Sequence, residues 1–279
     1  MIKCLRTIRY LPFLIPIFNR DIRHIQGAYL QRNKLLSLDS STISLCLSLF
    51  PWAKFRRTKG AVKLHLLLDH DGYLPTFAHI TNGKTHDVTI ARQIELSPYS
   101  IVTMDRGYND YQLFADWTER QIFFVTRLKD NADYSVVEKR SVPLKRNILA
   151  NELIRFNGYY AQKRCPLTLR KVVVWDKDQS REIVLLTNHL EFGPKTISAI
   201  YKDRWQIEIF FKWIKQHLRI KKFFGTSENA VKIQIWIAIS VYVFVAIMKK
   251  RLKIELTPYT ILQILSITLF EKMSILQAV

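Results

Sequence analysis

From Leu35 to Thr126 the hydrophobic period switches between two and about 3.6 residues, in the order three strands, helix, strand, helix, strand. Leu35-Leu-Ser-Leu-Asp39 reads as a strand ending in an acid, and Thr42 to Leu47 as a further β-prone stretch. A basic turn, Lys54 to Gly60, leads into Val62 to Leu68, and Asp69-His-Asp-Gly72 joins that run to Tyr73–Ile80 as a hairpin. Helical spacing covers Asp87 to Leu96. Ile101-Val-Thr-Met104 is a short buried strand that delivers Asp105. Tyr111 to Glu119 is helical again, and Gln121 to Thr126 is extended. Strands alternating with helices require an α/β architecture.

The texture changes after Lys129. Leu167 to Trp175 alternates and then runs apolar, the turn Asp176 to Ser180 follows, and Arg181 to Thr187 is again strand-like. This predicts an inserted, mostly antiparallel β subdomain at 129–189. Gly193-Pro194 opens one long helix to about Ile220. An apolar run from Ile233 to Met248 and an amphipathic stretch from Tyr259 to Phe270 make the C-terminus helical. The expected fold is a ribonuclease-H-like mixed sheet, with a catalytic domain at 34–128 and 190–279. In such a fold, neighbouring strand ends gather acids that lie far apart in sequence. Residues 1–33, basic and interrupted by proline, are expected to be a leader or the remnant of an N-terminal domain.

Charge narrows the partner. Lys and Arg number 43 against 23 Asp and Glu, a formal net charge of +20. Each phosphate neutralised by such a surface releases condensed counterions, so a nucleic acid is the first candidate and an anionic membrane surface the second. Cys4, Cys46 and Cys165 are far apart and form no Cys-x-x-Cys pair, which fits a reducing compartment. The apolar run Tyr10 to Phe18 follows Lys3, Arg6 and Arg9, but Pro12 and Pro16 break it and no small-residue cleavage site follows. The run Ile233 to Met248 is shorter than the roughly 20 residues that span a bilayer, and reads as a core helix. The expectation is a cytoplasmic protein acting on the nucleoid, without a membrane partner.

The segment Tyr201 to Lys215 carries the chemistry. At about 100° per residue, Tyr201, Arg204, Glu208, Lys212 and Lys215 fall in a sector roughly 80° wide. Beside it runs an apolar stripe of Ile200, Ile207, Phe211, Ile214 and Leu218. A single carboxylate among a phenol, a guanidinium and two ammonium groups can hold a metal while its neighbours grip phosphate oxygens. The same pattern also reads as a solvated face with surface pairs Arg204–Glu208 and Glu208–Lys212.

Four of these residues decide between the two readings. Tyr201, Arg204, Glu208 and Lys215 match, in identity and spacing, the signature Tyr-x-x-Arg-x-x-x-Glu-x-x-x-x-x-x-Lys of the insertion-sequence-four type of DDE transposases. Leu38-Asp39 through Leu45 and Val102-Thr-Met-Asp105-Arg-Gly-Tyr108 resemble that family's two aspartate motifs. Phe50 to Gly60 and His86-Asp87 are similar to one subgroup. The resemblance implies that Asp39, Asp105 and Glu208 form the catalytic, metal-binding triad. It implies two divalent metal ions, Mg²⁺ with Mn²⁺ able to substitute, and a two-metal cleavage and strand transfer. It implies that Tyr201, Arg204 and Lys215 contact double-stranded DNA near the cleaved end, and that pairing of element ends makes the protein a homo-oligomer on DNA. Lys212 is grouped with these DNA contacts.

Other residues carry two readings each. Arg56, Arg57 and Lys59, with Lys54 and Lys63, form a basic patch that tracks a DNA backbone or is simply solvated. His65, His79 and His86 read as structural more readily than as ligands. Trp175 either stacks on an extruded base or fills a β layer. Family members carry an N-terminal helical domain that recognises element ends, whereas 38 residues precede Asp39 here. The alternative function is therefore a truncated, catalytically silent copy that binds DNA or a full-length relative and inhibits transposition.

Overall fold

The computed structural model describes residues 33–143, 147–217 and 223–268. Residues 1–32 of the expected leader and Leu218 of the apolar stripe lie outside them. In chain order the chain forms β1 (Leu35–Leu45), β2 (Lys54–Arg56), β3 (Lys59–Asp69) and β4 (Leu74–Asn82). Helix α1 (Asp87–Ala91), β5 (Ile101–Met104), α2 (Tyr111–Glu119) and β6 (Phe123–Arg127) follow. Next come β7 (Tyr134–Lys139), β8 (Ile148–Phe156), α3 (Tyr159–Arg164), β9 (Leu169–Asp176) and β10 (Arg181–Thr187). Four helices complete the described chain: α4 (Pro194–Asp203), α5 (Trp205–His217), α6 (Glu228–Arg251) and α7 (Pro258–Thr268).

The ten strands share one sheet in the order β2-β3-β1-β5-β6-β10-β9-β8-β7, with β4 paired to β3. Strands β1, β5 and β6 run parallel, and β6, β10, β9, β8 and β7 pair antiparallel. The fold is a mixed α/β one with a large mixed sheet. Two compact units divide the chain. The first comprises Met1–Ser40, His65–His79 and Thr85–Ile207, and the second Ser41–Leu64, Ile80–Lys84 and Glu208–Val279, each in its described part.

In the first unit both sheet faces are buried, because successive residues of a strand point to opposite sides. Leu36, Leu38, Val102, Met104 and Phe124 pack with Leu113, Phe114 and Trp117 of α2. Leu35, Ile101 and Val125 belong to the opposite cluster, with Ile197 and Ile200 of α4. Each fully buried Leu or Phe contributes about 1.5–3 kcal/mol, so the two clusters hold β5 and β6 firmly between α2 and α4. Helix α2 starts where the Asp110 side chain accepts the Leu113 N–H at 2.9 Å, an N-cap. The second unit has its own small cluster of Val245, Met248 and Ile261 from α6 and α7. In it the Trp52 indole N–H donates to the Thr226 carbonyl at 2.7 Å.

Several expectations change. Leu35–Asp39 and Thr42–Leu45 belong to one strand, so Asp39 lies inside β1 rather than at its end. Only the ladder with β5 stops there, after Leu38 and Met104. The helix expected to Leu96 ends at Ala91: Ile94 and Leu96 are buried in alternation, and Pro98 follows, which disfavours a helical neighbour. The long helix expected to open at Pro194 breaks at Arg204, where Arg204 N–H bonds to Tyr201 O and Ile207 N–H to Arg204 O. These are three-residue turns, tighter than an α-helix, so a single wheel from Tyr201 to Lys215 does not apply. Trp175 is 37% exposed and does not fill a β layer. Helix α6 has 24 residues and a mean hydropathy of 2.1 over its most apolar window, one third of which is buried. It is thus longer and less enclosed than a core helix confined to Ile233–Met248, and by length and composition it could cross a membrane.

Candidate active site

Register places the first three groups of the site. Leu35 pairs with Ile101 and Leu38 with Met104, while Ile101 pairs with Phe123 and Thr103 with Val125. Continued by one step, the first ladder sets Asp39 beside Asp105; continued by two, the second sets Asp105 beside Arg127. Parallel neighbours lie about 4.8 Å apart, so two carboxylates and a guanidinium form a row across β1, β5 and β6. Alternation puts all three on the face of Leu35, Ile101 and Val125, the face that α4 covers. The sequence makes this row by following four-residue apolar runs with an acid twice. Arg127 ends a third run that the same ladder aligns.

Each group is held. The Ser40 N–H donates to Asp39 Oδ1 at 2.7 Å, and Arg204 Nη1 lies 3.4 Å from Asp39 Oδ2, with both side chains mostly buried. Asp105 caps the tight turn Arg106–Tyr108 by accepting the Gly107 N–H at 2.9 Å. A Cβ on Gly107 would stand 3.0 Å from Asp105 Oδ1, so a glycine there lets the carboxylate fold back without crowding. Thr126 Oγ1 donates to the Asp105 carbonyl at 3.0 Å and ties β6 to this turn.

Two tyrosines lie near the row. Tyr108 is 1% exposed, and burial drives its phenol pKa far up, with Asp87, Asp39 and Asp105 adding to the rise and the Ser40 side chain opposing it. The phenol therefore stays protonated in the field of three carboxylates. The Tyr201 pKa is also raised, first by burial and then by Asp105, against Arg204 and Arg127, which lower it. The Arg204 guanidinium carbon sits 5.7 Å from the centroid of the Tyr201 ring. Behind Tyr108, Asp87 Oδ1 lies 3.4 Å from Nδ1 of the fully buried His65. Phosphate oxygens brought to this face would meet Arg127, Arg204 and the Tyr201 hydroxyl beside two hard carboxylate donors.

The family described as a transposase DDE domain matches residues 31–244. The chain belongs to that family. It is 32% identical over 248 residues to a Sinorhizobium fredii protein named as the transposase y4zB, covering 88% of this chain and 69% of that one. A Geobacillus stearothermophilus protein named as the transposase for insertion sequence element IS5377 is 30% identical, covering 74% of this chain and 54% of its own. A Synechocystis protein named as the transposase for element IS4SA is 28% identical, over 77% of this chain and 60% of its own. The chain thus spans between 54% and 69% of the length of these relatives. Among solved structures, the piggyBac transposase synaptic complex with hairpin DNA aligns at TM-score 0.47 and 11% identity, covering 87% of this chain and 50% of that one.

Within this transposase domain, Asp39, Asp105, Tyr201 and Arg204 come together in the first unit. The second unit holds the remaining residues expected of the site. Glu208 is half-buried in the first turn of α5. Lys212 is exposed on the same helix, and Lys215 Nζ donates to the Thr42 carbonyl at 3.3 Å. Arg56, Arg57 and Lys59, with Lys54, are exposed around the β2–β3 turn, and Arg56 lies over the Phe55 ring at 5.2 Å. Among the described residues, no three His, Cys, Asp or Glu side chains form a ready ligand cluster. His65 is fully buried, with Nδ1 3.4 Å from Asp87 Oδ1.

Three residues of the site escaped the sequence reading. Arg127 ends an ordinary strand, and only its register with Asp105 reveals it. Tyr108 and Asp87 were visible only as members of Asp105-Arg-Gly-Tyr108 and His86-Asp87; the spacing of those motifs gave no sign that they meet.

Proposed function

We propose that this chain is the catalytic domain of an insertion-sequence transposase that cuts DNA at the element's ends and joins them to a target. The observation that carries the reading is the row Asp39–Asp105–Arg127 on the sheet face of Tyr201 and Arg204, in a chain of the transposase DDE family. The core is read as ribonuclease-H-like, supported by parallel β1, β5 and β6 with an acid on each of the first two. Asp39 and Asp105 offer hard oxygen donors on adjacent strands, which suit Mg²⁺ or Mn²⁺. Glu208 is assigned as the third ligand on its place in the Tyr–Arg–Glu–Lys spacing, four residues after the arginine that reaches Asp39. Two such ions held there would supply activation of the attacking water or 3′-hydroxyl and stabilisation of the leaving oxygen.

The chain's own side chains do the rest. Arg127 and Arg204 neutralise the scissile phosphate, and charge-assisted bonds from guanidinium forks also orient it. Arg204 and the Ser40 N–H keep the Asp39 carboxylate turned toward the row, and Gly107 does the same for Asp105. Tyr201 donates its protonated phenol to a phosphate oxygen. Lys212, Lys215 and the basic turn at Arg56, Arg57 and Lys59 track the duplex backbone. The protein acts as a homo-oligomer, because two element ends are joined in one event, and it works on the nucleoid in the cytoplasm. An intact carboxylate row supports an active enzyme over a silent remnant.

The deciding measurement is cleavage of a duplex carrying the DNA that flanks the gene, with Mg²⁺ or Mn²⁺. Wild type is expected to nick at the element ends, and Asp39→Asn, Asp105→Asn and Glu208→Gln to lose nicking by at least a hundredfold, on the order of one lost electrostatic stabiliser. Binding without cleavage by wild type would replace this reading with the inhibitory one. Nicking that survives in Glu208→Gln would remove Glu208 from the metal site.

A further inference from the structure

Away from the carboxylate row, α3 displays two large rings to solvent. Tyr159 and Tyr160 are each 73% exposed, and their centroids lie 5.4 Å apart at an interplanar angle of 78°. The helix is anchored without them: Ala161 is 7% exposed, and Cys165, which follows it, is 1% exposed. Neither ring therefore serves the core. One helical turn on, at i+4, stand Lys163 and Arg164, both exposed, so each ring has a cation beside it. Arg155, exposed on β8 with its Nε–H donating to Thr168 Oγ1 at 2.8 Å, adds a third charge. From Leu153 to Trp175 the chain carries five Lys and Arg and no Asp or Glu. Two of the five, Arg170 and Lys171, are buried and paired, which leaves the surface charge to Arg155, Lys163 and Arg164.

We infer that this surface binds an unpaired stretch of DNA, with the Tyr159 and Tyr160 rings stacking on bases and Lys163, Arg164 and Arg155 holding the phosphates. An exposed ring offers a base an apolar face that any base can use, and flanking cations neutralise the backbone between stacked bases. A protein partner of opposite charge would pair with the cations but has no need of two solvent-facing rings perpendicular to each other. A blunt duplex presents phosphates and no free base faces, so it engages the cations alone. The inference shares only its partner class, DNA, with the proposed function, and involves none of the residues assigned to cleavage.

The test is fluorescence anisotropy with labelled oligothymidylate and with a blunt duplex of equal length, over a range of salt. Tyr159→Ala/Tyr160→Ala is expected to bind the single strand at least about thirtyfold more weakly, with the duplex affinity and both salt slopes unchanged. Tyr159→Phe/Tyr160→Phe is expected to bind as wild type does, because stacking needs the ring and not the hydroxyl. Lys163→Ala/Arg164→Ala is expected to lower the single-strand salt slope by about 1.4, two phosphate contacts. Circular dichroism of each variant checks that the fold is kept, which exposed positions favour. Undiminished single-strand binding by the alanine pair, or equal losses on both probes, would overturn the inference. Wild type that binds duplex and not single strand would overturn it and leave the proposed function standing. Wild type that binds neither would overturn both.

Discussion

Gly107 controls one carboxylate of the row through a contact that can be changed without touching the core. It is exposed, its N–H is bonded to Asp105 Oδ1, and an added methyl would press on that oxygen at 3.0 Å. Gly107→Ala is expected to turn the carboxylate away and weaken divalent metal binding by about 10–100-fold, as the loss of a group that orients a ligand does. Mn²⁺ binding followed by electron paramagnetic resonance reads this directly. The melting temperature should hardly move, since no buried contact is lost. Unchanged Mn²⁺ affinity in the variant would show that Asp105 does not need this turn to present its oxygen.

Between elements, Arg170 joins β9 to the segment that leads into α4. It is 3% exposed, its Nε–H donates to Asn151 Oδ1 at 2.8 Å, and its Nη1 donates to the carbonyls of Leu190 and Phe192. Burial lowers its pKa, and the nearby Arg140 lowers it further. That guanidinium therefore sets the entry of the helix that carries Tyr201 and precedes Arg204. Arg170→Met keeps most of the volume but strands the Phe192 carbonyl and the Asn151 amide oxygen, while the Leu190 carbonyl keeps Arg140 Nη1 at 2.6 Å. A destabilisation of about 3 kcal/mol is expected, seen as a lower urea midpoint at constant slope. A midpoint within error of wild type would mean that water replaces the guanidinium at the Phe192 carbonyl and the Asn151 amide.

Across the whole molecule, two buried histidines couple stability to pH. His70, whose Nε2 lies 2.7 Å from Ser37 Oγ, and His189, whose Nδ1 accepts the Phe192 N–H at 3.2 Å, both have pKa values lowered to about 4, chiefly by burial. A folded value below the unfolded one means that the unfolded chain binds more protons, so stability is complete above about pH 6.5 and falls as the pH drops toward 4. By pH 5 the loss is about 2 kcal/mol for each histidine at most. Urea midpoints at pH 7 and pH 5 test it. Equal midpoints would show that both rings are already charged, or exposed, in the fold.

The sequence alone marked the strands that bear the row and the chemical types of its side chains. Apolar alternation marked β1, β5 and β6, the order of strands and helices required an α/β fold, and the Tyr–Arg–Glu–Lys spacing with two strand-borne aspartates named the family. These are local properties, carried by period and by side-chain identity within a few residues. Tertiary structure decided what lies beside what. Arg127 belongs to the site because the ladder of β5 with β6 aligns it with Asp105, and no feature of Phe123–Arg127 alone requires that register. Tyr108 feels the carboxylates only because its turn buries it to 1% exposure, near Asp39 and Asp87. The break at Arg204 was likewise invisible, because Ile200, Ile207 and Phe211 keep a helical period straight through it. At the break the guanidinium reaches Asp39, a residue 165 positions away in sequence.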